Sequence, residues 1–171
     1  MSRSSAAIRQ QLCDSVLNDF DSVFKIDNEV WVEDPITFRD FVVSKNHMNF
    51  PPLSERQYAP FDFMFGNDPK KIFDNGNNTG VLCWGKGSGK DTVTSLLMCY
   101  TVYVLLCMRS PQKFFSLPEG EPLDLLNVAV NAQQASGVFF EKFKQRLIRW
   151  QWLRDKYPVK FSGSFLGQAR I

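Results

Sequence analysis

The sequence is poor in the side chains that build metal centres and histidine-based catalytic sites. Its 171 residues include one histidine, His47, and four cysteines. The cysteines stand in apolar segments, and none has the Cys-x-x-Cys or Cys/His spacing of a zinc site or a disulfide framework. The composition therefore predicts a protein of a reducing, intracellular compartment, and we assign His47 no catalytic role.

The sequence also lacks a signal peptide and a hydrophobic run of membrane-spanning length. Its first residues, "MSRSSAAIRQQL", have no apolar core. The uncharged run from Val93 to Met108 is 16 residues long, which is shorter than the roughly 20 residues that cross a bilayer. Because this run lies between the charged Asp91 and Arg109, we expect a buried core helix and no contact with a membrane.

Charge is distributed unevenly along the chain. The net charge is +2, but residues 1–80 carry 8 basic and 12 acidic side chains, whereas residues 137–171 carry 8 basic and 2 acidic ones. Most of the basic residues near the carboxyl end lie between Glu141 and Lys156, interleaved with Trp150 and Trp152. Such a stripe can hold a DNA backbone without reading its sequence, although charge runs more often form a solvated helix face.

Residues 1–49 predict a small section of helices with one hairpin. Apolar residues recur at helical spacing from Ile8 to Phe20, "VFKIDNEVWV" alternates like a strand, and Asp34 followed by Pro35 is typical of a helix N-cap and first residue. The connector that follows is rich in Pro, Gly, Asn and aromatic residues and predicts one short helix near Leu53 to Tyr58. We place a domain boundary between residues 49 and 50.

Residues 50–171 predict an α/β domain. "TGVLCW" indicates a short buried strand, Ser88 to Arg109 a helix, Leu125 to Val130 a second strand, and residues 132–157 a second long helix. The order strand, helix, strand, helix favours a parallel sheet with right-handed crossovers.

The segment "GKGSGKD", residues 85–91, joins the first strand to the first helix. Gly85, Gly87 and Gly89 allow positive φ and keep Cβ atoms away from the turn, so that backbone N–H groups at a helix N-terminus can surround a phosphate. Lys90, in the first helical turn, can reach the β and γ phosphates. A glycine-rich turn without a ligand is the alternative, and the pattern of a dinucleotide fold is not met.

The loop departs twice from the usual pattern G-x-x-x-x-G-K-[ST]. Trp84 stands where the first glycine is expected, and Asp91 stands where a hydroxyl would bind Mg²⁺. Asp91 could bind the metal through its carboxylate, but its charge beside a triphosphate is unfavourable unless a cation offsets it. Thr92 could instead bond the α phosphate or reach the metal, so both residues remain candidates.

Three segments in this order, "FPPLSERQ", "GKGSGKD" and "NVAVNAQQASGVFFEKF", resemble the amino-terminal ATPase domain of the large terminase subunits of tailed bacteriophages. The resemblance covers about residues 50–165. It implies a three-layer P-loop NTPase fold of the ASCE type, with ATP and Mg²⁺ as cofactors. It also implies that Gln57 contacts adenine, that Lys86 stabilises charge on the γ phosphate beside Lys90, and that Ser88 belongs to the phosphate-binding loop.

The family's Asp-Glu strand and nuclease acids have no counterpart after Val130, and we therefore expect an incomplete ATPase domain. The resemblance further implies double-stranded DNA, a portal protein and a small terminase subunit as partners, a possible homo-oligomeric ring, and the host cell cytoplasm as location. Another P-loop motor, such as a helicase, and a truncated non-catalytic interaction protein remain the alternatives.

Overall fold

The computed structural model describes residues 30–66, 68–73, 76, 79–128, 139–162 and 168–170. The predicted helix from Ile8 to Phe20 lies outside these ranges. The last two residues of the predicted second strand, 129 and 130, lie outside them as well. The described helices and strands are α1 (Phe38–Val43), α2 (Glu55–Phe65), a 3₁₀ turn (Pro69–Lys71), α3 (Lys90–Cys107), α4 (Pro111–Phe114), α5 (Glu141–Arg149), α6 (Gln151–Lys156), β1 (Lys160–Ser162) and β2 (Gln168–Arg170).

The chain divides into two compact units. The first comprises residues 1–34 and 106–121, and the second comprises residues 35–105 and 122–171. In the first unit, Trp31 and Met108 form an antiparallel β-bridge. Beside it, the Val32 N–H donates to the Cys107 carbonyl at 2.8 Å and the Arg109 N–H donates to the Val30 carbonyl at 2.8 Å. The domain boundary at residues 49 and 50 remains a prediction.

Helix α1 begins three residues later than the Asp34–Pro35 pattern predicts. Its N-cap is Thr37, whose side chain accepts a hydrogen bond from the Asp40 N–H at 3.2 Å. Ile36 stays outside the helix: its carbonyl accepts from the Tyr100 hydroxyl at 2.9 Å instead of from a helical N–H, and its own N–H donates to the Tyr103 hydroxyl at 3.1 Å. The sequence-based start was therefore wrong, because tertiary hydrogen bonds outweigh a local capping preference.

Helix α2 confirms the predicted short helix and extends it to Phe65. Ser54 and Gln57 form a capping box at its start, in which the Ser54 N–H donates to Gln57 Oε1 at 3.0 Å. Such reciprocal bonds satisfy N–H groups that have no partner inside the helix. Gln57, a predicted nucleotide contact, is thereby fixed at the third position of a well-defined helix.

Arg39 joins α1 to α2. Its guanidinium donates two hydrogen bonds to the Glu55 carboxylate, at 2.9 and 2.8 Å, and also contacts Asp62 Oδ2 at 2.6 Å. This fork-shaped pairing suits a planar guanidinium and fixes direction as well as distance. The first two turns of α2, and Gln57 with them, are therefore oriented by a side chain of α1.

Helix α3 supplies the core of the second unit, as the predicted helix Ser88 to Arg109 implied. Its inward face is formed by residues that are at most 2% exposed: Val93, Leu96, Cys99, Tyr100, Tyr103 and Val104. By length and composition α3 could cross a membrane, but half of it is buried inside the protein. An apolar helix that packs against other elements on this scale is what a core helix requires.

The predicted long basic helix is broken into α5 and α6 at Trp150, which has an extended conformation (φ −74°, ψ 101°). The break lets the Trp150 indole enter the core, where it is 0% exposed and donates from Nε1 to His47 Nδ1 at 3.3 Å. The N–H of Trp152 is taken by the Asn46 carbonyl at 2.9 Å. The gain from burying a large aromatic ring explains why one continuous helix does not form.

The predicted parallel sheet is not confirmed. Within the described residues, 79–85 and 125–128 have no strand assignment, and Val81, Leu126 and Val128 are 82%, 83% and 88% exposed. Because a strand needs a hydrogen-bonded neighbour and a covered apolar face, an alternating or apolar pattern alone does not produce one. The described strands are β1 and β2, an antiparallel pair in which Lys160 lies opposite Arg170.

Candidate nucleotide-binding site

The glycine loop turns directly into the amino terminus of α3. Gly87 and Gly89 have φ of +83° and +79°, which is the region that side chains disfavour. The Ser88 N–H closes a turn on the Gly85 carbonyl at 3.3 Å, and the helix begins at Lys90. The N–H groups of the first helical turn have no partners within the helix and lie at the positive end of its dipole, so this end of α3 suits an anion.

Gln57 lies against the loop. Its Nε2 donates to the Ser88 carbonyl at 3.0 Å, while its Oε1 accepts from Ser54. A Cβ added to Gly89 would stand 2.9 Å from the same Nε2. The absence of a side chain at Gly89 therefore serves two purposes, since it permits the positive φ and makes room for the Gln57 amide.

Ser88 Oγ is a buried oxygen that has no hydrogen-bond partner in the described part of the chain. A buried hydroxyl without a partner is costly, and at a functional site it often marks the place of a missing ligand or water. The two loop lysines, Lys86 and Lys90, are exposed, and neither forms an ion pair among the described residues. Two ammonium groups and an unbonded hydroxyl at a helix N-terminus fit a polyphosphate.

Asp91 and Thr92, the predicted metal ligands, follow Lys90 in the first turn of α3 and are half-buried. Asp91 Oδ2 lies 3.7 Å from the Nζ of Lys142, a residue of α5. Within the described ranges, no three His, Cys, Asp or Glu side chains form a group that could enclose a metal. Mg²⁺ at a phosphate site takes only one or two protein ligands besides phosphate and water, so Asp91 fits that role.

Arg146 contacts the helix that follows the loop, which the sequence did not predict. From α5, its Nε donates to the buried Ser95 Oγ at 2.9 Å, and its guanidinium lies 5.0 Å from the centre of the Phe50 ring. Burial lowers the pKa of Arg146, although nearby Cys99 opposes this. The sequence placed Arg146 in a basic stripe, and only its spacing of four from Lys142 hinted that both residues share one helix face.

The two tryptophans of the basic stripe do not belong to a surface. Trp150 and Trp152 are 0% and 9% exposed and stack on each other with ring centres 5.6 Å apart. The cations and the two tryptophans, which alternate in the sequence, are therefore separated in the structure, because the helix break turns both indoles inward. The cations themselves include exposed residues, Arg149 and Arg154 among them.

Asn131 and Gln133 follow the predicted second strand in the sequence and lie outside the described residues. The structure brings together Gln57, Ser88, Gly89 and Asp91 with Lys142 of α5. Two sets of assignments stay predictions. Nucleotide binding is assigned to Gly85, Gly87, Ser88, Gly89, Lys90 and Thr92, and catalysis to Lys86 and Lys90.

Comparison with known proteins supplies the family. The model of the family described as "Uncharacterized protein MJ0330, N-terminal P-loop domain" matches residues 11–164. The uncharacterized protein MJ0330 of Methanocaldococcus jannaschii is 33% identical over 88 residues, which cover 46% of this chain and 15% of that protein. The chain thus spans only a small part of the length of this relative. No solved structure matches the chain. Since the family model covers most of the chain, including the glycine loop, the protein belongs to the family of the N-terminal P-loop domain of MJ0330.

Proposed function

We propose that the chain binds ATP through residues 85–92 and forms the nucleotide-binding part of a DNA-packaging motor of the large terminase type. The observation that carries the nucleotide part is the positive-φ turn at Gly87 and Gly89, which leads into α3 beside the unbonded Ser88 hydroxyl. Membership of a P-loop family supports the same conclusion.

We assign a role to each polar residue of the loop. Backbone N–H groups from Gly87 to Asp91 would surround the phosphates, with Lys90 on the β and γ positions and Lys86 on the γ position. Asp91, or Thr92 beside it, would address Mg²⁺, which supplies charge neutralisation at the phosphates when bound. The exposed ammonium groups of both lysines can reach a ligand without breaking an ion pair among the described residues.

Gln57 would contact the adenine with what remains of its hydrogen-bonding capacity. Its Oε1 already accepts from the Ser54 N–H and hydroxyl, and one Nε2 hydrogen is used on the Ser88 carbonyl. A side-chain amide has two donors and an acceptor with two lone pairs, so one donor is left. Gln57 would therefore donate to an adenine nitrogen, and a second bond from its oxygen would require opening the capping box.

The motor part of the proposal rests on the resemblance of the three sequence segments to terminases. It includes hydrolysis of ATP by the intact protein, double-stranded DNA as the translocated substrate, and a portal protein and small terminase subunit as partners. It places a homo-oligomeric ring in the cytoplasm of a host cell. Exposed cations of α5 and α6, such as Arg149 and Arg154, support contact with a DNA backbone.

Titration calorimetry with ATP and Mg²⁺ tests the nucleotide site. Lys90→Ala should weaken binding by roughly ten- to a hundredfold, because a hydrogen bond to a charged group contributes about 1.5–3 kcal/mol. Lys113→Ala removes an exposed lysine of α4 with the same change of net charge and should leave affinity unchanged. Equal affinities of the wild-type chain and the Lys90 variant would refute the site.

Binding to duplex and single-stranded DNA tests the motor class. A packaging motor should bind duplex DNA regardless of sequence, with affinity that falls steeply as salt rises. A clear preference for single strands would favour the helicase alternative. No affinity for either form would favour a non-catalytic interaction protein.

A further inference from the structure

The geometry points to Lys142 as a counter-ion for Asp91. Because its ammonium group offsets the carboxylate charge, the loop can accept a polyphosphate without depending fully on a divalent cation. The inference rests on the proposed nucleotide site and adds to it a residue of α5. Lys142 Nζ lies 3.7 Å from Asp91 Oδ2, and both side chains are about half exposed, at 45% and 48%.

Asp91 creates an electrostatic problem that the usual residues do not. Serine and threonine, which normally follow the loop lysine, are neutral, whereas Asp91 places a carboxylate in the helical turn that would receive the phosphates. The Asp91 carboxylate and bound phosphates repel each other, and a cation between or beside them offsets this repulsion. In this structure the cation beside Asp91 is the ammonium group of Lys142.

Lys142 is held at this position by the packing of α5 alongside α3. Arg146 lies one turn after Lys142, and Ser95 lies one turn after Asp91, so each helix presents the two residues on one face. Arg146 Nε donates to Ser95 Oγ at 2.9 Å, and Ser95 is completely buried. This partly buried contact keeps the two helices in register, and the half-exposed pair of Lys142 and Asp91 lies one turn before it.

The pair is also weak enough to respond to a ligand. At 3.7 Å and half exposure it resembles a surface ion pair, which stabilises a protein only slightly. Lys142 can therefore give up Asp91 to a bound divalent cation without a large cost. Lys144, two residues along the same helix, instead has Glu141 of its own helix at 3.9 Å, which makes it a matched control.

The test is calorimetric titration of the 171-residue chain with ATP, once in excess EDTA and once in excess Mg²⁺. In EDTA, Lys142→Gln should weaken binding by about fivefold, equal to about 1 kcal/mol at 25 °C and close to the upper value for an exposed ion pair. With Mg²⁺ the loss should shrink to less than about twofold, because the metal offsets the carboxylate. Lys142→Arg should retain the wild-type affinity, and Lys144→Gln should match the wild type in both media.

A double-mutant cycle separates a counter-ion from a direct phosphate contact. In an Asp91→Asn background, Lys142→Gln should have no effect in EDTA, because there is no carboxylate left to neutralise. A loss that persists in that background, a loss equal in Mg²⁺ and EDTA, or an equal loss from Lys144→Gln would overturn the assignment. Failure of the wild-type chain to bind ATP in either medium would refute the nucleotide site itself, which is a distinct result.

Discussion

At its amino end, α3 presents Lys90, Asp91 and Thr92, which are exposed or half-buried, whereas further along, the same helix buries Leu96 and Tyr103 almost completely. The first turn is surrounded by the glycine loop, Gln57 and Lys142. The later turns contact aromatic rings of α1 and α6: Phe41 lies 5.3 Å from Tyr100, and Trp152 lies 5.1 Å from Tyr103, between ring centres. One helix therefore serves as the wall of a polar site and as the centre of the core.

This difference predicts whether a substitution changes folding stability or ligand binding. Apolar burial dominates folding free energy, so changes at the aromatic end should lower stability. Changes at the polar end remove groups that water already solvates, so they should alter ligand binding with little effect on folding. The predictions below test this division.

The largest effect is expected from Trp150→Ala. Removing a fully buried indole that packs on Phe41 with ring centres 5.3 Å apart should cost about 3–5 kcal/mol of unfolding free energy. Urea denaturation measures the loss. Phe63→Ala, at a ring that is 78% exposed, is the matched control and should change stability by about 0.5 kcal/mol or less. A loss below about 1 kcal/mol at Trp150 would contradict the assigned core.

A smaller effect is expected from Gly89→Ala, at the boundary of the two regions. The left-handed conformation at φ +79° costs an alanine about 1–2 kcal/mol, and its Cβ would stand 2.9 Å from Gln57 Nε2. Gly85→Ala is the control, because a Cβ there meets nothing within 4 Å and its φ lies outside that region. Urea denaturation should separate the two variants, and equal stability would argue against the loop geometry.

The smallest effect is a loss of stability in acid that depends on Glu55. The Arg39 guanidinium lowers the pKa of Glu55 below its ordinary value of 4.5. The pair therefore stabilises the folded chain at pH values above 4.5, and this contribution is lost as the pH falls through the lower, folded pKa. The difference in midpoint between the wild type and Glu55→Gln should be present at neutral pH and vanish in acid. A pH-independent difference would show that the pair is not responsible.

Local patterns predicted the elements whose causes are local. The glycine spacing, Lys90 and the apolar run from Val93 onward predicted a turn that leads into a helix, and the structure has that helix within two residues of each predicted end. The short helix with Gln57 was also foreseen. The membership of a P-loop family agrees with the assignment of the loop.

Features that depend on distant partners were predicted poorly. The start of α1 is decided by two tyrosine hydroxyls of α3. The break at Trp150 is decided by the contacts of its indole with Phe41, His47 and Tyr103. The strands predicted at residues 79–84 and 125–130 are not confirmed: the described residues 79–84 and 125–128 have no strand assignment, since an apolar pattern cannot supply a hydrogen-bonded neighbour.

The sequence by itself determined the positive-φ turn at Gly87 and Gly89, because φ above zero without strain is a property of glycine and needs no partner. It also determined which helix would be the core helix, since only one run is long and uncharged. The tertiary structure alone decided that Gln57 meets the loop, that Lys142 stands beside Asp91, and that Trp150 ends a helix. Each of these joins residues that lie far apart in the chain, and only packing brings such residues within reach of one another.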